Sequence, residues 1–205
     1  MKPTLHLFAL GLLALLFASC HETEDDNNEF YNWKERNEAY FMELYNLAGN
    51  PAAYSNSITL TKWSLNDSIA TKPEDHIVVQ PLEVGTGSGC PLYTDSVLVH
   101  FRGHTIPTSG SPEGYAIGGS YEGTFYPQTA KPRLIAVSST TTVDGLVTAL
   151  QRMHIGDRWR IIIPYQLGYG ITDYTPSSTS EWLFASVPAY TTLIYDVQLV
   201  GYYRP

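Results

Sequence analysis

Cysteine is scarce in this sequence: there are two in 205 residues, Cys20 and Cys90. A multi-bridge disulfide scaffold is therefore excluded as the source of stability. Basic charge is also thin. Twelve Lys and Arg stand against 20 Asp and Glu, a net charge of −8. No basic cluster appears, and phosphate recognition needs one, so nucleic acid is not an expected partner. The longest apolar run, residues 5–17, is too short to cross a membrane comfortably. Metal ligands are sparse too. His100 and His104 make a nitrogen pair with no third ligand, so no metal centre is expected. What is plentiful is ring area: 13% of residues are aromatic, 15 of them tyrosine, within a 43% hydrophobic composition. That is enough for a core, and it suits a half-exposed β surface better than a disordered chain. The length allows one ordinary domain plus extras.

The N-terminus reads as a targeting segment. Lys2 gives a thin positive region, residues 5–17 an apolar one, and Ala18-Ser19 place small residues directly before Cys20. This resembles a bacterial lipoprotein signal, in which Cys20 carries the lipid and begins the mature chain; Phe17 departs from the strictest form of the pattern. Several acyl chains on one residue make a stable anchor in a lipid bilayer. With Cys20 acylated, only Cys90 remains as a thiol. Residues 21–29 are polar and acidic, a solvated tether. Glu22, Glu24, Asp25 and Asp26 look like the acidic run that accompanies surface display in lipoproteins of the Bacteroides group. The expected location is the outer membrane, facing the periplasm or the cell surface.

From residue 30 the pattern becomes helical. Phe30, Trp33, Tyr40, Phe41, Leu44 and Leu47 recur at helical spacing, with Asn37 as a polar gap, and Gly49-Asn50-Pro51 closes the stripe. Such a helix is expected to dock on the neighbouring domain. Residues 52–75 are mixed, with Trp63 as a candidate anchor into the core. After residue 76 short strands alternate with turns. Strands are predicted over 77–84, 96–103, 133–137, 158–163 and 191–200, with alternating faces in the second, fourth and fifth. Leu146, Ala149, Leu150 and Met153 form one face of a short helix, with Thr142 or a neighbouring hydroxyl as a candidate N-cap and Gly156 at its left-handed end. Pro164 ends the 158–163 strand, and Tyr169 follows between two glycines. Residues 171–186 are a long Ser/Thr-rich loop. The fold class is α+β: a mostly antiparallel sheet with one short helix laid across it. The expected organisation is a signal peptide at 1–19, a tether at 20–29, a helical extension at 30–75 and the main domain at 76–205.

Four blocks carry a family resemblance. Val97-Leu98-Val99-His100-Phe101-Arg102-Gly103 resembles the V-x-V-H-Y-x-G strand of FKBP-type peptidyl-prolyl cis-trans isomerases. Leu150-Gln151-Arg152-Met153-His154-Ile155-Gly156-Asp157 is similar to their L-x-x-M-x-x-G-[ED] helix exit. Ile163-Pro164-Tyr165-Gln166-Leu167-Gly168-Tyr169-Gly170 resembles I-P-P-E-L-A-Y-G. The run Val187-Pro188-Ala189-Tyr190-Thr191-Thr192-Leu193-Ile194-Tyr195-Asp196-Val197-Gln198-Leu199 resembles I-P-P-N-A-T-L-I-F-D-V-E-L. They occur in order over residues 77–202. The resemblance implies an antiparallel half-barrel wrapped around one helix, with a groove between them.

It also implies a chemistry without cofactor or nucleophile. Rotation about an Xaa–Pro bond has a barrier of roughly 20 kcal/mol set by amide resonance. A dry apolar groove disfavours the planar, charge-separated amide, and placed hydrogen bonds hold the twisted one. By the resemblance, Tyr169 is the hydroxyl that meets a bound carbonyl. Phe101 falls where the family has a tyrosine and Tyr195 where it has a phenylalanine. Thr142 and Val143 lie before the helix, where the backbone meets the ligand, and Val187 stands for a flap isoleucine. Ile117-Gly118-Gly119-Ser120 aligns with F-D-S-S, so a pocket aromatic becomes Ile117 and the pocket aspartate becomes Gly118. Leu146 takes the place of the tryptophan that floors the groove, and Arg133 that of another phenylalanine. Trp182 or Phe184 could refill the space. The function implied is a prolyl isomerase, weakened by these departures, that acts on proline-containing polypeptides and assists the folding of exported proteins. The alternatives are a non-catalytic binding or chaperone module on the same scaffold, and a surface interaction lipoprotein.

Overall fold

The computed structural model describes residues 28–119, 131–138, 142–177, 183 and 185–205. The chain divides into two compact units, Met1–Tyr31 and Asn32–Pro205. Of the first, the described part is a turn in which the Tyr31 amide donates to the Asn28 carbonyl (2.9 Å). Cys20, the signal segment and most of the acidic tether lie outside the described residues, as do Ser120, Trp182 and Phe184.

The second unit holds seven strands and two α-helices among its described residues. In chain order they are α1 (Trp33–Leu47), β1 (Ile58–Thr61), β2 (His76–Glu83), β3 (Ser96–His104), β4 (Ala116–Gly119), β5 (Arg133–Ala136), α2 (Asp144–Leu150), β6 (Arg158–Ile163) and β7 (Leu193–Tyr203). All strand pairs are antiparallel, in the order β1-β2-β6-β7-β3. Beyond β3, β4 pairs with its end and β5 with its beginning. The sheet wraps around α2, the half-barrel that the sequence resemblance implies. Alternation decides which side chains face inward. Val97, Val99 and Phe101 of β3, Ile161 and Ile163 of β6, and Leu193, Tyr195, Val197 and Leu199 of β7 share one core cluster with Leu146, Val147 and Leu150 of α2. Helix and sheet approach closely at Gly145, where a Cβ would lie 2.3 Å from Ile163 Cγ2.

The helix boundaries differ from expectation. α2 ends at Leu150, so Gly156 is not its terminal left-handed residue; that glycine, at φ 95°, turns the chain into β6. Asp157 organises this turn, its carboxylate accepting from the amides of His154 and Gly85, both at 2.7 Å. At the other end Val143 is the capping residue and no side chain caps the helix. Thr142 sits one residue too early, and its Oγ1 is buried without a hydrogen bond. Trp63 is not a core anchor. It stays 39% exposed, tilts on Tyr93 with centroids 4.5 Å apart, and donates to Asp144 Oδ1 (3.3 Å).

α1 lies on the outer face of the sheet. Phe41 packs with Val78 and Ile162, and Trp33 with Ile106 and Ile194. Phe30 is outside the helix and exposed. Asn37 is no gap in the stripe: it is fully buried, because its amide ties α1 to Thr192, directly before β7.

Candidate functional site

The site is built where the Tyr169 turn and the 187–192 segment meet the end of the sheet. After Pro164 stops β6, a 3-10 turn, Tyr165–Leu167, reverses the chain. The Gly168 and Gly170 amides both donate to the Tyr165 carbonyl, at 3.0 and 2.9 Å, which sets Tyr169 between them. The Tyr190 amide then donates to the Gly170 carbonyl (2.9 Å), joining this turn to the second segment. Tyr190 is held at φ 61°, a conformation a bulky side chain adopts only where its surroundings fix it.

Those surroundings come from α1. The Trp33 indole N–H donates to Thr191 Oγ1 (3.0 Å), and the Thr192 amide donates to Asn37 Oδ1 (2.7 Å). Thr192 Oγ1 donates to the Asn37 carbonyl (3.1 Å). The Tyr165 hydroxyl donates to Glu38 (3.1 Å), and Tyr165 meets the Tyr190 ring edge-on at 5.2 Å. One helix therefore fixes the base of both loops. In the sequence Glu38 carries no signal and Asn37 reads only as a polar gap; the legible signal is Trp33 on the helical stripe.

Inward from the loops the rings converge. Tyr169 stacks on Tyr174 with centroids 4.3 Å apart, and Phe101 meets Tyr195 edge-on at 4.7 Å. Val187 is locked by reciprocal backbone bonds to Tyr174, at 2.8 and 2.9 Å. Leu183 bridges to Gly118 of β4, and the Ala185 amide donates to the Ile117 carbonyl (3.2 Å). Phe101, Ile117, Val143, Leu146, Val187 and Tyr195 all belong to one cluster, with Tyr169 packed against it. Tyr174 and Leu183 belong to this assembly and went unseen, because nothing in a Ser/Thr-rich loop marks which residues return to the core.

The walls are closed. Phe101, Leu146, Val187 and Tyr195 are 0% exposed and Ile117 is 1%. Among the described residues, one cleft of about 330 Å³ lies beside α1 and Pro164, and another of about 300 Å³ is lined by Tyr40, Arg102, His104 and Arg160. Neither is lined by Tyr169, Phe101 or Tyr195.

Burial controls the phenols. Loss of water pushes the Tyr169 pKa up to about 12, and full burial, with Tyr169 beside it, raises that of Tyr195 well above the ordinary value. Both therefore remain neutral hydrogen-bond donors at physiological pH. Their hydroxyls influence each other, yet the geometry falls short of a formed hydrogen bond, and Tyr195 Oη has no partner. His100 and His104 are each held below the ordinary histidine value, mainly by burial. No three His, Cys, Asp or Glu side chains converge as a metal set among the described residues.

Comparison with known proteins gives a consistent answer. Residues 90–200 match the family model for FKBP-type peptidyl-prolyl cis-trans isomerases. The chain is 29% identical over 136 residues to a macrophage infectivity potentiator of Trypanosoma cruzi, covering 64% of this chain and 56% of that protein. It is 27% identical over 118 residues to the FKBP-type 22 kDa peptidyl-prolyl cis-trans isomerase of Escherichia coli K12, covering 57% and 46%. The chain thus spans about half the length of the curated relatives it matches. Two solved structures share the fold. One is FkpA from Escherichia coli, with TM-score 0.54 at 18% identity, covering 100% of this chain and 74% of that one. The other holds the three FKBP domains of wheat FKBP73, with TM-score 0.50 at 21% identity, covering 73% and 52%. The chain belongs to the FKBP-type peptidyl-prolyl cis-trans isomerase family.

Proposed function

We propose that this protein is a prolyl isomerase that acts on proline-containing segments of exported polypeptides while a lipid on Cys20 tethers it to the outer membrane. The observation that carries the catalytic reading is the convergence of Tyr169 on the Phe101–Tyr195 ring pair above α2. An Xaa–Pro amide has no N–H, so a bound proline segment offers mainly carbonyl acceptors and ring surface. A neutral phenol and an apolar wall match that chemistry. Transfer into such a site weakens amide resonance relative to water, and the phenol holds a carbonyl while the bond turns. Tyr169 supplies the donor; Phe101, Tyr195, Ile117, Leu146, Val143 and Val187 supply the wall.

The test is NMR exchange spectroscopy on a short Leu-Pro peptide with the full chain in mild detergent. Faster cis/trans exchange, reduced on Tyr169→Phe, supports the reading; an unchanged exchange rate defeats it. A second reading is a binding module without turnover, motivated by Gly118 and Leu146 standing where the family resemblance expects an aspartate and a tryptophan. Its signature is peptide-induced shifts at Tyr169 with no exchange enhancement.

A further inference from the structure

Tyr195 carries a hydroxyl that the fold does not use. It comes from an inward-facing position of β7, paired with Gly103 of β3 and Ile161 of β6. The residue is 0% exposed, and its Oη makes no hydrogen bond. A buried donor left in that state destabilises the fold, and phenylalanine would fill the same space without the penalty. The ring is also locked in place. A Cβ at Gly103 would lie 2.8 Å from Tyr195 Cε1, so the strand opposite admits the ring only because it carries glycine there. Phe101 braces it edge-on. The hydroxyl therefore cannot swing away to find water, and it shares its surroundings with the phenols of Tyr169 and Tyr174.

A buried hydroxyl without a fully formed hydrogen bond, set beside the phenol that the reading above gives to the substrate, can serve an incoming acceptor. We propose that the Tyr195 hydroxyl is a second hydrogen-bond donor to the bound Xaa-Pro segment, acting together with Tyr169. This rests on the isomerase reading above and gives one of its wall residues a polar role. The chemistry suits it. As the bond twists, nitrogen regains the lone pair it lent to the carbonyl, so a segment that was poor in acceptors near the ring gains one. A donor fixed there interacts more strongly with the twisted amide than with the planar one, which is the condition for lowering a barrier.

Tyr195→Phe tests this because the two roles move in opposite directions. The thermal midpoint of the full chain is expected to hold or rise, since an unsatisfied hydroxyl is gone. The kcat/KM for a Leu-Pro peptide is expected to fall roughly threefold to tenfold, mostly in kcat, the size of one neutral hydrogen bond. A lower midpoint would mean that the hydroxyl is paired inside the protein, and unaltered kcat/KM would mean that it does not meet the substrate; either result overturns the proposal. The double variant with Tyr169→Phe is expected to lose less than the product of the single losses, because both donors serve one segment. Strict multiplicativity counts against a shared segment. If the wild-type chain shows no turnover, the isomerase reading fails by itself. The donor role is then read from peptide affinity by NMR titration: weaker affinity in Tyr195→Phe supports it and equal affinity refutes it.

Discussion

Asn37→Ala removes one small side chain from a surface helix, yet the structure makes it a costly change. The Asn37 amide is fully buried. Its Nδ2 donates to the Trp33 carbonyl at 2.6 Å and its Oδ1 accepts the Thr192 amide at 2.7 Å. Deleting the first bond loses about 1 kcal/mol, and leaving the Thr192 N–H buried without an acceptor costs about 1–3 kcal/mol more. The expected loss is about 3 kcal/mol in total. For a chain of this size that lowers the thermal midpoint by roughly 6–12 °C. Urea unfolding followed by tryptophan fluorescence gives the free energy, and amide hydrogen exchange reports the Thr192 N–H itself. Exchange there should accelerate before the core strands do, since the defect sits at the base of the 187–192 segment. A loss below about 1 kcal/mol, with Thr192 still protected, would refute the reasoning: the amide would then have found another acceptor, and α1 would not be the clamp described here.

Four other outcomes follow from the same geometry. Tyr169→Phe should lower kcat/KM on a Leu-Pro peptide about threefold to tenfold, with the fold intact by circular dichroism. Gly145→Ala should cost about 1–3 kcal/mol in urea unfolding, because the new Cβ meets Ile163 Cγ2 at 2.3 Å and either helix or strand must shift. Alkali should destabilise the fold through Tyr54 and Tyr169, whose pKa values are both pushed up to about 12 by burial. The unfolded phenols ionise near pH 10, so stability is whole below that pH and falls as it rises toward 12; Tyr54→Phe should flatten the decline. Acid acts through His104, whose pKa burial lowers. Its unfolded counterpart takes up a proton first, so stability is present above about pH 6.5 and drains below it, and His104→Gln should reduce that slope in unfolding measured across pH 5–7.5.

The sheet was legible because alternation is a direct consequence of the pleat. Residues Trp159, Ile161 and Ile163 face the core as their spacing requires, and β3 and β6 run where the pattern puts them. The docking of α1 was legible in kind but not in place, although a signal for its place existed. The inner-face rule does not explain why Val78, Ile162 and Ile194 are apolar, since these residues point outward. Three consecutive apolar residues at 77–79, 161–163 and 193–195 mean that both faces are covered at that end of the sheet. The cover is α1, whose Phe41 and Trp33 sit on those residues. Asn37 was misread for a related reason: a polar residue on an apolar stripe looks like an interruption unless its partner, 155 positions away, is known. Helix ends failed through local chemistry. Thr142 has a capping side chain but precedes the cap, and Asp157, not a glycine at the helix terminus, closes the α2–β6 turn.

The candidate site was legible as a set of residues and not as a shape. The structure brings Phe101, Ile117, Val143, Leu146, Val187 and Tyr195 into one cluster with Tyr169, whereas motif matching treats each substitution as an isolated loss. The structure ties them together. A carboxylate at 118 would sit on a buried strand opposite Gly103 of β3, which has no side chain to donate to it; an unpaired buried charge there would be costly, and glycine carries none. The chain opposite Gly118 is Leu183, so the space near the lost side chain is bordered by an apolar residue of the long loop. On the proposal made above, the Tyr195 ring that meets Phe101 edge-on carries a hydroxyl beside Tyr169 that serves the bound segment. A site rearranged in this way keeps donors for a proline segment's carbonyls while shedding the acceptor that an aspartate would supply. It should therefore retain affinity for plain Xaa-Pro peptides and bind poorly to ligands that rely on donating a hydroxyl to the protein. NMR titration with a matched pair of proline ligands, one with and one without such a hydroxyl, checks this: equal affinities are expected, and a clear preference for the hydroxylated ligand would mean that an acceptor survives in the groove.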